Sequence, residues 1–289
     1  MPPFSSAMLE RFIQHLRTED PGAETPAATR ERLKGRFAPG STRRMTLLGM
    51  LVGSLLGDLQ PAEDDAVVYV SVFGEGRALE DYLASFPSAS PTLFQTSIHP
   101  SGVQQGLIGR QRSVRELFPH AGGGQLPVQG LLTAMLSPAP RAVLVGGEER
   151  GTWLVDAKAV SDRTFAYALA LTRDPGLHPL GRLTLSSEID RNYPCFSGIT
   201  GKMPVPPGDL SEPTGKTRPS PEATAGRSPV PRGMGVPPMS GSVTEPATDL
   251  TIEAAEATLS HAAWFELLHG RHEFDGPAAE GWRLQLVWM

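Results

Sequence analysis

The chain has 289 residues and a net charge of −5, which excludes a global basic field for nucleic acid or acidic lipid. Hydrophobic residues make up 39%, while Gly (31) and Pro (28) are abundant, so the composition reads as a packed domain diluted by an irregular segment. One cysteine, Cys195, excludes an intramolecular disulfide framework and a Cys-rich zinc site and fits a reducing cytoplasm.

Met1-Pro-Pro-Phe runs into Glu10 and Arg11 without a continuous apolar core, so no signal peptide is expected. Apolar residues at 8, 9, 12, 13 and 16 predict an amphipathic helix over Met8–Leu16. A Pro-rich loop follows over 18–29, then a basic, helical stretch over Arg30–Arg36. Ser41 or Thr42 offers an N-cap for an apolar helix reaching Leu59. Its apolar run, Met45–Leu59, holds three glycines and is shorter than the ~20 residues a bilayer-spanning helix needs, so it reads as a buried helix. Arg43 and Arg44 suit either an anion or a solvated, internally paired first turn.

The strongest strand is Asp64–Phe73, whose continuous β-branched run fits burial on both faces of a sheet. Gly74-Glu75-Gly76 ends it, and a helix follows with Leu79, Tyr82, Leu83 and Phe86 on one face. The dinucleotide fingerprint needs a third glycine where Leu79 stands, so no cofactor is expected. Ser90–Gln105 is the stretch that looks built for chemistry. Leu93–Ile98 reads as a short strand, the pattern breaks at His99-Pro100-Ser101-Gly102, and Val103, Leu107 and Ile108 continue as a helix to about Arg112. A strand turning into a helix would present polar side chains beside backbone N–H groups suited to an oxyanion.

Ala121-Gly-Gly-Gly124 lacks the Lys-Ser/Thr of a phosphate loop and reads as a turn before a helix over Val128–Leu136. Strands are expected over Arg141–Glu149, Phe165–Thr172 and Arg182–Ser187. Strands separated by helices predict an α/β domain with a largely parallel or mixed sheet. From 198 to 248 the composition changes. This segment holds 11 of the 28 prolines and no Phe, Tyr or Trp, so it cannot bury enough apolar surface to order itself and reads as a disordered Pro/Gly-rich insertion. Its Met203-Pro-Val-Pro-Pro207 and Met234-Gly-Val-Pro-Pro-Met239 resemble short repeats scattered through some bacterial genomes. Order returns with a helix over Glu253–Leu268 and an alternating strand over Trp282–Trp288. His261, His269 and His272 lack a carboxylate or cysteine cluster at metal-site spacing and read as surface or cap histidines, so no metal is expected.

Taken in order, these stretches resemble the β-ketoacyl synthase-like N-terminal domain family found beside aryl-polyene and related fatty-acid-like synthases. The likeness is carried by Pro39–Gly49 (PGSTRRMTLLG), Val68–Gly76 (VYVSVFGEG), Ser90–Gly102 (SPTLFQTSIHPSG, with Pro100 where Asn is usual), Val143–Glu149 (VLVGGEE), Tyr167–Leu171 and the Trp264–Trp282 tail. It implies half of a thiolase-like fold, layered α/β with helices on both faces, over 1–197 and completed by 249–289. In an active synthase of this kind the acyl chain rides on a Cys at a strand-to-helix turn. The resemblance sets His99 at or beside that position, with Ser101 next, and no Cys. It therefore implies a catalytically degenerate, chain-length-factor-like subunit that pairs with an active ketoacyl synthase and docks an acyl carrier protein. Arg43, Arg44, Arg110, Arg112 and Arg115 are the basic contacts for such an acidic carrier. Two alternatives stand beside it: an acyl-thioester hydrolase or acyltransferase using Ser101 with His99, and a degenerate structural interaction protein.

Overall fold

The computed structural model describes residues 8–187 and 258–289. The expected insertion over 198–248, Cys195 and the start of the helix expected from Glu253 lie outside them. The α/β expectation holds. Strands β1 (Met8–Glu19), β2 (Ala66–Ser71), β3 (Glu116–Ala121), β4 (Arg141–Glu148), β5 (Phe165–Thr172), β6 (Gly181–Ser187), β7 (Phe274–Ala279) and β8 (Trp282–Trp288) form one sheet in the order β3-β2-β4-β5-β1-β6-β8-β7. β3, β2 and β4 run parallel, and every other neighbouring pair is antiparallel.

Helices α1 (Pro26–Lys34), α2 (Leu47–Leu59) and α5 (Ser101–Gly109) contribute Leu33, the apolar length of α2, Val103 and Leu107 to one buried cluster, against Val67, Tyr69, Val143, Val145 and the alanines of β5. Helices α6 (Leu126–Leu136) and α7 (His261–His269) fill a second cluster with Val68, Val70, Leu144, Tyr167, Leu169 and the leucines of β6 and β8. The sheet thus carries helices on both faces, as the unalternating burial of β2, β4 and β5 requires. α2 and α5 cross closely because glycines face each other: a Cβ on Gly106 would sit 3.0 Å from the Gly53 Cα, and one on Gly102 3.0 Å from the Gly49 Cα.

Four local expectations are overturned. Met8–Leu16 is strand, not helix. A register irregularity between Ile13 and His15 puts Ile13 and Leu16, three apart, into the same cluster, which mimics helical spacing. Ser41–Arg44 is a 3-10 turn, and the cap of α2 is Thr46, whose Oγ1 accepts from Gly49 N at 2.8 Å. Leu93–Ile98 is not a strand. Ser90 Oγ accepts from Leu93 N at 3.3 Å and Pro91 occupies the first turn, which starts helix α4 (Pro91–Thr96) instead. Helix α3 (Gly76–Ala84) inverts its expected face. Ala78 and Glu80 are buried, while Leu79 and Leu83 are each 40% exposed.

Two strands escaped the sequence reading, β3 and β7. They are the two edges of the sheet, and each contains a proline, Pro119 and Pro277, which an edge tolerates and an interior strand does not.

Candidate functional site

The parallel strands β2, β3 and β4 end together at Ser71, Ala121 and Glu148, and open α/β sheets bind ligands outside such carboxyl ends. Two loops leave from there. β3 turns into α6 through Gly122 (φ +79) and Gly123 (φ +83), backbone angles that favour glycine, and Gly122 N donates to Val72 O at 3.0 Å. This is one of two strand-to-helix turns of the parallel strands, the other running from β2 into α3. The β3–α6 turn carries Ala121-Gly-Gly-Gly-Gln125 and neither thiol nor hydroxyl. A Cβ at Gly122, Gly123 or Gly124 would meet nothing within 4 Å.

β2 leaves through Phe73-Gly74-Glu75, and buried carboxylates hold it. Glu148 accepts from Val72 N at 2.6 Å, Ser71 Oγ at 3.1 Å and Phe73 N at 3.4 Å, and His261 Nδ1 lies 2.7 Å from its Oε1. The other ring nitrogen of His261 lies 3.0 Å from Tyr167 Oη. Burial, reinforced by Glu148, raises the Tyr167 hydroxyl well above the ordinary tyrosine range. The chain from α7 through β4 and into the β2 loop is therefore one buried polar network. Glu75 bridges two helix starts, accepting from Gly102 N at 3.0 Å and from Thr46 Oγ1 at 3.2 Å. Burial outweighs those donors and pushes its carboxyl up to about 7.

His99 lies on the α4–α5 turn and Ser101 opens α5, so both sit between two helices rather than after a strand. The His99 ring stacks on Tyr69 with centroids 4.7 Å apart, and Gly74 backs onto it. Burial lowers its pKa, which favours the neutral ring. Its two nitrogens and the Tyr69 Oη have no hydrogen-bond partner among the described residues. Ser101 Oγ is buried and donates to Thr96 O at 2.9 Å. No hydrogen bond links it to His99 among the described residues, so the geometry does not activate it as a nucleophile.

The histidine expectation also changes. His261 is buried against a carboxylate, while His269 is exposed and meets Thr18 Oγ1 at 3.0 Å. Among the described residues no three His, Cys, Asp or Glu side chains converge as a metal site. Of the arginines, Arg110 donates to Gly53 O and Arg36 O with its guanidinium 5.4 Å over the Phe37 ring, while Arg43, Arg44, Arg112 and Arg115 are exposed. No described helix is long and apolar enough to cross a membrane.

The residues that sequence reasoning missed are Glu75, Glu148, Tyr167 and His261. A signal for two of them was present: Gly74-Glu75 and Gly147-Glu148 each place a glutamate after glycine at the end of a strand flanked by hydrophobics.

No protein-family model matches the chain. Among solved structures it is similar to the ketosynthase in complex with its chain length factor from Xenorhabdus doucetiae, at 22% identity over 63% of this chain and 85% of that one, with a TM-score of 0.47. It is similar to the ishigamide ketosynthase/chain length factor at 13% identity over 63% of this chain and 68% of that one, TM-score 0.46. A 3-oxoacyl-(acyl-carrier protein) synthase from Burkholderia xenovorans LB400 matches at 13% identity and TM-score 0.32; the match covers 63% of this chain and 53% of that enzyme.

Proposed function

We propose that this chain is the non-condensing, chain-length-factor-type member of a ketosynthase pair, built on half of a thiolase-like fold. The observation that carries the reading is the β3–α6 turn. A condensing enzyme of the resembled kind holds its thiol at a strand-to-helix turn; this reading assigns that position to the β3–α6 turn, which is Gly-Gly-Gly, shaped by positive φ at Gly122 and Gly123. In this reading that turn, rather than His99 and Ser101, corresponds to the nucleophile position. His99 and Ser101 then support the neighbouring α4–α5 turn.

Two features favour pairing. Among the described residues β3 is an edge strand with one side of its ladder unfilled, and α3, α4 and the residues just after them leave Leu79, Leu83, Phe86, Phe94 and Ile98 between 40% and 55% exposed. An active ketosynthase is the partner assigned to this face. Arg112 and Arg115 remain the contacts assigned to an acidic acyl carrier protein.

Intact-mass spectrometry after incubation with acyl-carrier thioesters tests the non-condensing role. The expected spectrum shows unmodified chain. An acyl adduct on this chain would overturn the reading.

A further inference from the structure

Next to the α2 start, and separate from the β3–α6 turn, lies a cavity of about 210 Å³ into which four arginines project: Arg30 from α1, Arg43 and Arg44 from the 3-10 turn, and Arg77 from α3. The carboxylates around it do not balance them. Asp81 is taken by Arg77 at 2.6 Å. Glu149 accepts from Leu48 N at 2.9 Å; burial raises its pKa, and Leu48 N, Arg30 and Arg77 oppose that rise. Arg30 donates to Met45 O at 3.0 Å and makes no direct ion pair among the described residues, its charge partner there being Glu149. The Arg43 and Arg44 guanidinium groups make no hydrogen bond or ion pair among the described residues, and both residues are exposed. Arg30, Arg43 and Arg44 thus share one nearby carboxylate, Glu149, around one cavity, and the surplus positive charge favours an anion between them. Their forked donors match tetrahedral oxyanions better than point charges do.

The small cavity shares Arg30, Arg77, Asp81 and Glu149 with a cleft of about 750 Å³, within the usual range for small-molecule sites. That cleft adds Thr152 and Thr164 with two arginines, Arg150 and Arg163, and three carboxylates, Asp20, Glu24 and Asp162, so its carboxylates outweigh its arginines, and Arg163 is paired with Asp20 at 2.7 Å. Acceptors of this kind suit hydroxyl groups and disfavour a second anionic group.

We propose that these neighbouring cavities, which share four lining residues, together bind a phosphate monoester, its phosphate among Arg30, Arg43 and Arg44 and its neutral, hydroxyl-bearing body in the larger cleft. The site stands independently of the ketosynthase-pair reading, and failure of either leaves the other intact.

Calorimetric titration of the full chain with ribose 5-phosphate, inorganic phosphate and ribose in low salt tests it. Saturable binding is expected for ribose 5-phosphate, weaker binding for inorganic phosphate, and none for ribose. The Arg43→Ala/Arg44→Ala variant, which alters two exposed side chains, is expected to weaken ribose 5-phosphate by about tenfold or more, a charged hydrogen bond being worth at least one decade. Arg112→Ala/Arg115→Ala should leave it unchanged. Absence of saturation, binding of ribose alone, or equal weakening by the two arginine pairs would each overturn the site.

Discussion

Glu148 gathers two backbone N–H groups, one hydroxyl and one imidazole on a single buried carboxylate, so truncating it strands all four. Leaving buried polar partners unpaired costs about 3–5 kcal/mol. Glu148→Ala should lower unfolding free energy by that order in urea titration, whereas Glu148→Gln, which keeps an acceptor, should cost less. Equal losses would contradict the network. Glu75 gives a pH signature. Its carboxyl is raised from 4.5 to about 7, so between those values the folded state binds more protons than the unfolded chain. Stability must therefore fall as pH rises from 4.5 through about 7, by up to about 3 kcal/mol from this group. Glu75→Gln should remove that slope in denaturation curves taken across the window; an unchanged slope would refute the assignment. At this scale the sequence was partly legible. Both glutamates follow glycine at strand ends, but nothing in their local pattern says that His261, 113 residues away, closes onto Glu148. His99 and Ser101 drew attention through their neighbours, and the fold then committed the Ser101 hydroxyl to Thr96 O.

Among the elements, α3 shows how tertiary partners override a helical pattern. Glu80 is buried because its carboxylate accepts from Thr152 N, Thr152 Oγ1 and Leu154 N, which turns Leu79 and Leu83 outward. Leu83→Glu should change stability by no more than about 0.5 kcal/mol, as exposed substitutions do, yet abolish co-purification with a ketosynthase. A large stability loss, or retained association, would remove the docking role of this face. The α2–α5 crossing is the opposite case, fully packed. Gly106→Ala places a methyl carbon 3.0 Å from the Gly53 Cα, backbone that cannot rotate away. Overpacking of this kind costs about 1–3 kcal/mol, measurable as a shift in the urea midpoint. Strands buried on both faces, β2, β4 and β5, were legible from their apolar runs. The edges β3 and β7 were not, since Pro119, Pro277 and the polar side chains that suit an edge also erase the strand signal. β1 misled for a different reason. Its irregularity near Gln14 is a pairing feature that its own residues do not announce.

At the scale of the whole molecule, the chain after the long Pro-rich stretch returns to finish the same sheet. β8 pairs with β6, β7 pairs with β8, and α7 delivers His261 to β4. What makes the carboxyl ends of β2, β3 and β4 a site is thus assembled from both ends of the sequence. The layered α/β class was legible because alternating helices and buried strands dictate it; the position of the β3–α6 turn was not, because β3 was invisible. In the proposed reading this turn has given up condensation and the molecule acts through a partner. Co-expression with an active ketosynthase of the source organism, followed by size-exclusion chromatography and product analysis, tests it most directly. A stable one-to-one complex is expected, with product length that depends on this chain and no condensation by this chain alone. Separate elution of the two chains with unchanged products, or condensation by this chain by itself, would contradict it.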